Sequence, residues 1–562
     1  MDGTEQNIFV EQAEYIAIDA FRQWNIEHPD ETVIIRKLSQ SGAKLITGPR
    51  GSGKTTLLLK TYYKLCNSTE NHSVPVYVNF KSSLKIEPLY RKNSNAVYWF
   101  NQWLLFKIYQ GIYKTLNDMG FDGQPNYLRY KKQDVDSFIS KIELGTIDTI
   151  KGDIGLTISI LEEEIQKVLQ QLGKNHCVLL LDDAAHAFSS EQQRDFFDFF
   201  RQIKSRHISP KAAIYPGVTT YSSTFHVGHD AEEIDIWIKP ESVGYLDFMI
   251  GLLKQRLPAE VFDILIAKID LLEILCYTAF GIPRALLNMV QTFYKEEDKN
   301  EVKYDRTAVL KAVRNCLNQS MSIYLSLSNK LPIYEKFITN GELIFTRILD
   351  AIKEYNKGKS ETEQTVVIAI NKPLPAELSK VLSFFQYSGL LMPRGDLSKG
   401  NKGVYELYSV HYAALVERNA FVAKKSITTM NLAISLKKRN AHSLKRVTPN
   451  SLIGTEDVAD FFPLSLPPCQ VCGAPRVSEH AKFCLECGSQ LKIASIFESL
   501  IKNDISVLPL TSRRVNAIKK HSLIRTVKDI LMDNGNKELR KVPQIGPHWA
   551  KEIISYAEEY LV

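Results

Sequence analysis

The sequence predicts a multidomain α/β protein. Short apolar runs that end in polar residues alternate with amphipathic helical patterns through the first half of the chain, at 44–47, 74–80 and 177–183. Such runs are typical of buried parallel strands separated by helices. With 562 residues, 44% of them hydrophobic, the chain can bury a large core and should divide into roughly three to five domains.

Composition limits the class of protein. The net charge of +7 and the pI of 8.7 are too mild to prove a nucleic-acid partner. No apolar run reaches the length of a membrane span, and the first thirty residues are acidic rather than signal-like. We therefore expect a cytoplasmic protein with no membrane partner. Four of the eight cysteines are clustered near the C-terminus and four are scattered, which indicates a metal site in a reducing compartment rather than disulfides.

The stretch 48–56 fits the pattern GxxxxGK[ST], and it lies between an apolar strand and a helical pattern. This is the P-loop signature, in which glycines let backbone N–H groups and the start of a helix surround phosphate. We expect Lys54 to reach the β- and γ-phosphates of ATP and Thr55 to bind magnesium. An ordinary glycine-rich turn is the alternative. The predicted nucleotide-binding residues are Gly48, Pro49, Arg50, Gly51, Ser52, Gly53, Lys54, Thr55 and Thr56.

The run 177–183 ends in two carboxylates. At the end of such a strand, one acid can bind magnesium and the other can activate the attacking water. We assign Asp182 to magnesium and Asp183 to the water. The shorter Asp in place of the usual Glu leaves open a nucleotide-gated switch with slow hydrolysis.

A Gly-Ile-Pro-Arg motif at 281–284 opens a helix inside a helical region, 245–327. With the P-loop and the acidic strand, it resembles the AAA+ ATPases of the origin-recognition and replication-initiator type, over roughly residues 10–330. The resemblance implies a five-stranded αβα core in 1–240 and a helical lid in 241–330.

The same resemblance assigns further residues. In these ATPases the strand predicted at 211–220 lies between the acidic strand and the P-loop strand, which places Thr219 or Thr220 near the γ-phosphate. Arg284 becomes the lid arginine that contacts the nucleotide. Arg201 or Arg206 is the candidate arginine finger, although both could equally be surface charges.

Residues 331–417 resemble a winged helix. The predicted order is helix 341–355, strand 365–370, helix 375–387, and two strands, 390–393 and 404–408, joined by a basic glycine-rich hairpin. One of the three expected helices has no counterpart. Winged helices bind DNA or protein, so both partners stay open.

Residues 418–464 are predicted to form a basic linker, because 418–450 contain no acidic residue. A one-sided charge attracts phosphate backbones, and we expect Lys437, Lys438 and Arg439 to contact double-stranded DNA. A merely solvated linker is the alternative.

Two C-x-x-C-G knuckles within 465–492 resemble a zinc ribbon. Four thiolates leave no open coordination position, so the zinc should be structural. The predicted ligands are Cys469, Cys472, Cys484 and Cys487.

Residues 493–562 resemble the C-terminal domain of the RNA polymerase alpha subunit, and the stretch 539–553 within them resembles a helix-hairpin-helix. We expect the backbone at Ile545 and Gly546 to contact a DNA phosphate. Gln544 replaces the first glycine of that motif, and a protein-docking module is the alternative.

The predicted function is that of an ATP-binding, ATP-hydrolysing initiator-like AAA+ protein that binds DNA and switches or assembles with nucleotide. A homo-oligomer or a protein partner is compatible with this prediction. One alternative is a STAND-like signalling or defence NTPase that senses a protein or foreign nucleic acid. Another is an ATP-dependent transposition regulator. ATPase dependence on duplex DNA would favour the first and third, and activation by a protein ligand the second.

Overall fold

The computed structural model describes residues 26–561 except 69–71, 82–85, 87–94, 122–124, 126, 148–154, 185–188, 294–303, 422–427, 438–442, 477–480, 482, 490 and 492–498; it also describes residues 13, 16, 21, 23 and 24. Everything below concerns these residues.

The first part of the chain is built on a five-stranded parallel sheet of order β2-β3-β4-β1-β5. The strand that leads into the P-loop therefore lies beside β4, which separates it from the acidic strand β3, as expected. All strand ends that carry polar residues meet at one edge of this sheet. The strands are β1 (Lys44–Thr47), β2 (Ser73–Asn79), β3 (His176–Asp182), β4 (Ile208–Ile214) and β5 (Glu232–Asp235).

Helices cover both faces of the sheet. Side chains alternate along β3, so Val178 and Leu180 pack with α1 and α2, while Leu179 and Leu181 pack on the opposite face. This alternation gives three layers, αβα. The helices are α1 (Glu31–Ser39), α2 (Lys54–Asn67), α3 (Ala96–Asp118), α4 (Lys132–Glu143), α5 (Ile158–Gln171) and α6 (Ser190–Ile203).

Most aromatic residues of α3 form core, whereas Tyr98 is exposed. Phe100, Trp103, Phe106 and Tyr109 are buried against the sheet and its neighbouring helices. Helical spacing of aromatic side chains therefore reflects packing here and not a base-stacking surface.

A helical unit follows the sheet, as predicted. Its α10 starts directly after Ile282, with Pro283 at the first helical position, where the missing N–H of proline costs nothing. The helices are α7 (Tyr245–Arg256), α8 (Ala259–Ile266), α9 (Ile269–Thr278), α10 (Pro283–Gln291) and α11 (Arg306–Lys330).

The winged-helix-like unit has a second sheet, of order β7-β8-β6-β9. Its first helix begins at Glu335, earlier than predicted, and β7 and β8 extend further than predicted. Only residues 372–375 separate β6 from α13, so the described chain has no room there for the third helix of a winged helix. The elements are α12 (Glu335–Asn356), β6 (Val367–Asn371), α13 (Ala376–Tyr387), β7 (Leu391–Ser398), β8 (Val404–Val410) and α14 (Tyr412–Glu417).

The stretch predicted as a basic linker is folded where the structure describes it. Strand β9 (Lys445–Val447) pairs in parallel with β6. Leu432, Leu436 and Phe461 are buried in the core that the lid and the winged-helix-like unit share. Apolar residues spaced among the basic ones therefore pack the described parts of 418–464 against the rest of the protein. The helices are α15 (Thr429–Leu436), α16 (Pro449–Ile453) and α17 (Val458–Phe461).

The C-terminal unit has a separate small core, formed by side chains such as Ile518, Ile530 and Ile553. Its helices are α18 (Ser512–His521), α19 (Val527–Leu531) and α20 (Pro547–Leu561). None of the helices in the described ranges combines the length and the apolar character that crossing a bilayer requires.

Candidate nucleotide-binding site and metal centre

The loop 48–53 connects β1 to α2 at the polar edge of the first sheet. Gly51 and Gly53 have φ of 83° and 99°, a left-handed backbone that glycine adopts without strain. No side chain caps the start of α2, so its first N–H groups are available to an anion. Ser52 Oγ is buried and has no hydrogen-bond partner among the described residues. This concave backbone with an unsatisfied hydroxyl fits a phosphate group.

Lys54 begins α2 and is only 5% exposed. Its Nζ donates to the carbonyl oxygens of Gly48 at 2.7 Å and Pro49 at 3.0 Å. It also lies 3.6 Å from the centre of the Tyr215 ring. Burial lowers the pKa of Lys54 to about 7, because desolvation outweighs the attraction of Asp182 and Asp183.

The two predicted acids lie at the end of β3. Asp182 is 1% exposed and accepts from the Tyr77 hydroxyl at 2.9 Å. Asp183 has a φ of 53°, and its carboxylate lies 3.4 Å from Asn79 Nδ2 and 3.4 Å from the Tyr215 hydroxyl. The turn after β3 thus directs the second carboxylate to the same edge as the P-loop.

The lid arginine reaches the P-loop. A methyl group added at Gly51 would lie 2.9 Å from Arg284 Cβ, and the Arg284 N–H lies 3.5 Å from the Gly51 carbonyl oxygen. The positive charge of Arg284 contributes to the lowered pKa of Lys54. The lid motif and the phosphate loop are therefore in direct contact.

Thr219 lies outside the strand that was expected to present it. Strand β4 ends at Ile214, and the Thr219 hydroxyl donates to the backbone oxygen of Tyr215 at 2.7 Å. Thr220 follows in the same loop, where its N–H donates to the Gln193 side chain. The predicted end of the strand at 220 is corrected, because Pro216-Gly217 makes a turn.

Tyr215 occupies the strand end in place of Thr219. Burial raises the pKa of Tyr215 well above its ordinary value, so the phenol stays protonated and donates to Asp183. Sequence reasoning missed Tyr215, Tyr77 and Asn79, although polar residues at the ends of parallel strands are the signal for such a site.

The two arginine-finger candidates are both exposed. Arg201 is in the last turn of α6 and Arg206 is in the segment between α6 and β4. A trans-acting finger needs a second subunit, so this assignment stays a prediction.

The four clustered cysteines converge. All four sulfurs lie within 4.8 Å of one another, and the pairs Cys469–Cys487 and Cys472–Cys484 are each 3.6 Å apart. Sulfurs bonded to zinc at about 2.3 Å in a tetrahedron lie about 3.8 Å apart. The two knuckles also share a backbone pattern, since the N–H of Gly473 donates to Cys469 and that of Gly488 to Cys484. The donor set and its spacing fit zinc.

The predicted DNA contacts differ in their surroundings, and the structure describes only some of them. Lys437 follows α15 and lies 3.8 Å from Glu273; Lys438 and Arg439 lie outside the described residues. Ile545 is buried and its N–H donates to Val542 at 3.1 Å. Gly546 is exposed, with open space where a side chain would be.

Gln544 has a φ of 67°, so it takes the left-handed conformation of the glycine it replaces. The chain therefore turns at 542–545 without a glycine at 544, and Gly546 is one of several exposed residues there.

Among solved structures, the chain is similar to the Orc1 protein of Aeropyrum pernix in complex with DNA, at 14% identity and a TM-score of 0.27, over 70% of this chain and 92% of that one. It is also similar to Cdc6p of Pyrobaculum aerophilum, at 13% identity and a TM-score of 0.29, over 72% and 97%. No protein-family model matches the chain, and no curated protein does. Similarity this slight carries no argument about function, which has to come from the site itself.

The buried lysine predicts a proton linkage. Near pH 8.5 Lys54 is mostly neutral, because its pKa is about 7, and phosphate charges beside it will favour the protonated form. Nucleotide binding should therefore take up close to one proton at pH 8.5 and almost none at pH 6. Calorimetry in buffers of different ionisation enthalpy measures this uptake.

Lys54→Arg is the control, because a guanidinium stays protonated at both pH values. Lys211 also has a pKa of about 7, but it bonds to Gln40 and Gly42 at the other end of the sheet, so nucleotide should leave it unchanged. Equal and negligible proton uptake at both pH values would contradict the environment described for Lys54.

Proposed function

We propose that this protein binds ATP with magnesium at the loop 48–56 and hydrolyses it. The observation that carries the proposal is the convergence of Lys54, Asp182 and Asp183 at one sheet edge, with Arg284 against the same loop. A lysine that only stabilises the fold does not require two carboxylates and a second cation beside it. A site that binds a polyanion and a divalent cation needs all of them.

Each residue has a role in this proposal. The N–H groups at the start of α2 and the ammonium of Lys54 bind the β- and γ-phosphates. Thr55 and Asp182 would hold magnesium, which would supply positive charge against the phosphates. Asp183 orients the attacking water and accepts its proton, and Arg284 stabilises the transferring phosphoryl group. Tyr215, which follows β4 directly, rather than Thr219, supports Asp183 through its hydroxyl.

Two substitutions separate binding from turnover. Lys54→Ala should abolish ATP binding, because the charge that faces the phosphates is lost. Asp183→Asn should keep ATP bound and stop hydrolysis, since the amide cannot take the proton of water. Equilibrium binding of labelled ATP and phosphate release measure the two effects.

The matched controls are Lys64→Ala, on the exposed side of α2, and Asp263→Asn, on the lid surface. Both should behave like the parent protein. If Asp183→Asn hydrolysed ATP at the parent rate, Asp183 would not be the water-activating acid.

We also propose that the cysteine cluster holds one structural zinc. The support is the sulfur spacing and the duplicated backbone turn of the two knuckles. Four thiolates complete a tetrahedral shell and leave no position for substrate.

Zinc removal tests this site. Elemental analysis of the chain should find one zinc, and Cys469→Ser with Cys472→Ser should lose it and unfold the knuckles, because the metal replaces a hydrophobic core there. ATP binding should persist. Cys66→Ser with Cys316→Ser is the control and should keep the metal; metal-free protein purified without chelator would exclude zinc.

For the partner, we propose double-stranded DNA, bound by the basic residues 437–439 and by the hairpin turn at Gly546. The support is a surface position for Gly546 before the 15-residue helix α20, together with a stretch that has no acidic residue from 418 to 450. Arg418 is less suited to this role, because it already bonds to Asp350 at 2.7 Å.

Salt dependence tests DNA binding. Replacing Lys437, Lys438 and Arg439 by Gln in the full chain should reduce the slope of log K against log salt by about 0.9 for each phosphate that the protein no longer neutralises. Sequence preference should not change, because these residues meet only phosphates. Gly546→Asp should also weaken binding, since a carboxylate would repel the phosphate. Fluorescence anisotropy with duplex DNA measures both.

Neutralising Lys254, Lys311 and Lys336, exposed on the lid and α12, removes the same net charge elsewhere. This control should keep the parent slope. Equal slopes in both triple variants and the parent would place the DNA site on another surface or exclude DNA as the partner.

One observation favours the second candidate function, a nucleotide-gated signalling NTPase. The helix α13, which precedes the wing strands, packs on the nucleotide core through Lys380 and Gly217. A signalling protein of this kind should be activated by a protein ligand, whereas the initiator-like function predicts ATPase activity that depends on duplex DNA.

A further inference from the structure

The helix α13 is docked beside the phosphate loop. Gly217, two residues after Tyr215, comes so close that a methyl group there would lie 2.3 Å from the Ser383 carbonyl oxygen. Lys380 donates to the Gly217 carbonyl oxygen at 3.0 Å. Only glycine allows this approach of loop and helix. The contact joins the strand end that faces Lys54 to the winged-helix-like unit.

The last residue of α13 enters the nucleotide site. Tyr387 is 1% exposed, and its ring packs on the Tyr215 ring at 5.9 Å. The guanidinium of Arg50, in the P-loop itself, donates to the Tyr387 hydroxyl. The winged-helix-like unit thus contacts Arg50 of the P-loop and the Tyr215 ring that lies over Lys54.

The turn that follows α13 contacts the lid through Gly389. A methyl group at Gly389 would lie 2.8 Å from Ile282 Cδ1, and Ile282 in turn packs on Gly51. Core, lid and winged-helix-like unit therefore meet at the P-loop. Further from the site, Arg394 forms an ion pair with Glu241 at 2.6 Å.

The groups that phosphate must reach are buried beside these contacts. Lys54 is 5% exposed and Ser52 is 2% exposed, and the Tyr215 ring, on which Tyr387 packs, lies over Lys54. A phosphate cannot form hydrogen bonds with buried groups unless the cover moves. Tyr215 alone cannot move outward, because Tyr387 and Ser383 lie behind it and its loop.

We infer that the winged-helix-like unit is a cover over the phosphate site, held by Tyr387 on Arg50 and Tyr215, and that nucleotide enters only after α13 leaves. Tyr387 is a positioning residue: it acts through Arg50 and Tyr215. This inference rests on nucleotide binding at residues 48–56. It adds that the presence or absence of nucleotide in this site determines the position of the winged-helix-like unit.

A cover over the site should be visible in the rate of nucleotide association. When a closed state must open first, the observed rate of nucleotide association levels off at the opening rate as nucleotide concentration rises. Stopped-flow fluorescence with magnesium and N-methylanthraniloyl-ATP or -ADP, on the full chain with Asp183→Asn, measures this plateau without turnover.

Tyr387→Ala should raise the plateau at least about tenfold, which corresponds to about 1.4 kcal/mol of lost closing free energy. Lys380→Ala should also raise the plateau, and it leaves the Tyr387 packing in place. It therefore tests the cover if Tyr387→Ala does not fold. Tyr387→Phe removes the hydroxyl that bonds to Arg50 and keeps the ring contact with Tyr215, so it separates the effects of the two contacts. Tyr405→Ala is the control, because Tyr405 is on β8 of the same unit and faces Arg446.

The outcomes are distinct. A plateau that rises in Tyr387→Ala and Lys380→Ala, and not in Tyr405→Ala, supports the cover. A linear dependence in the parent, unchanged in every variant, would overturn the cover and leave the nucleotide site standing. Absence of binding in all of them would overturn the proposed function and this inference together.

Discussion

The arrangement of the nucleotide site depends on the burial of one ammonium group, that of Lys54. Lys54 is held at the start of α2, where two P-loop carbonyl oxygens and the Tyr215 ring replace water around its charge. Such burial costs free energy, and the lowered pKa of Lys54 records that cost. The carboxylates of β3 offset part of it. The first sheet makes this possible, since parallel strands bring their carboxyl ends to one edge.

Local patterns predicted which residues lie close together. The P-loop, the acidic pair and the cysteine knuckles each depend on residues close in the chain, so fixed spacing determines their geometry. Strand order also agreed with expectation, because β4 separates β1 from β3. These features could be predicted without knowledge of tertiary packing.

Contacts between distant segments could not be predicted in this way. Tyr215 and Tyr387 belong to different units, and no spacing rule joins them. The segment 418–464 was predicted as a linker because of its basic charge. It also contains apolar residues, such as Leu432 and Phe461, that pack on the lid and α12. The strand predicted to reach Thr220 stops at Ile214, because the chain turns at Pro216-Gly217, and Gly217 lies against α13.

Binding of the ATP phosphates by the loop 48–56 can be seen in a structure of the full chain with magnesium and a non-hydrolysable ATP analogue. We expect the β- and γ-phosphates within hydrogen-bond distance of Lys54 Nζ, the metal on Thr55 and Asp182, and Tyr387 withdrawn from Arg50. Nucleotide bound at another surface, with Lys54 still buried under Tyr215, would show that the loop 48–56 is not the ATP site.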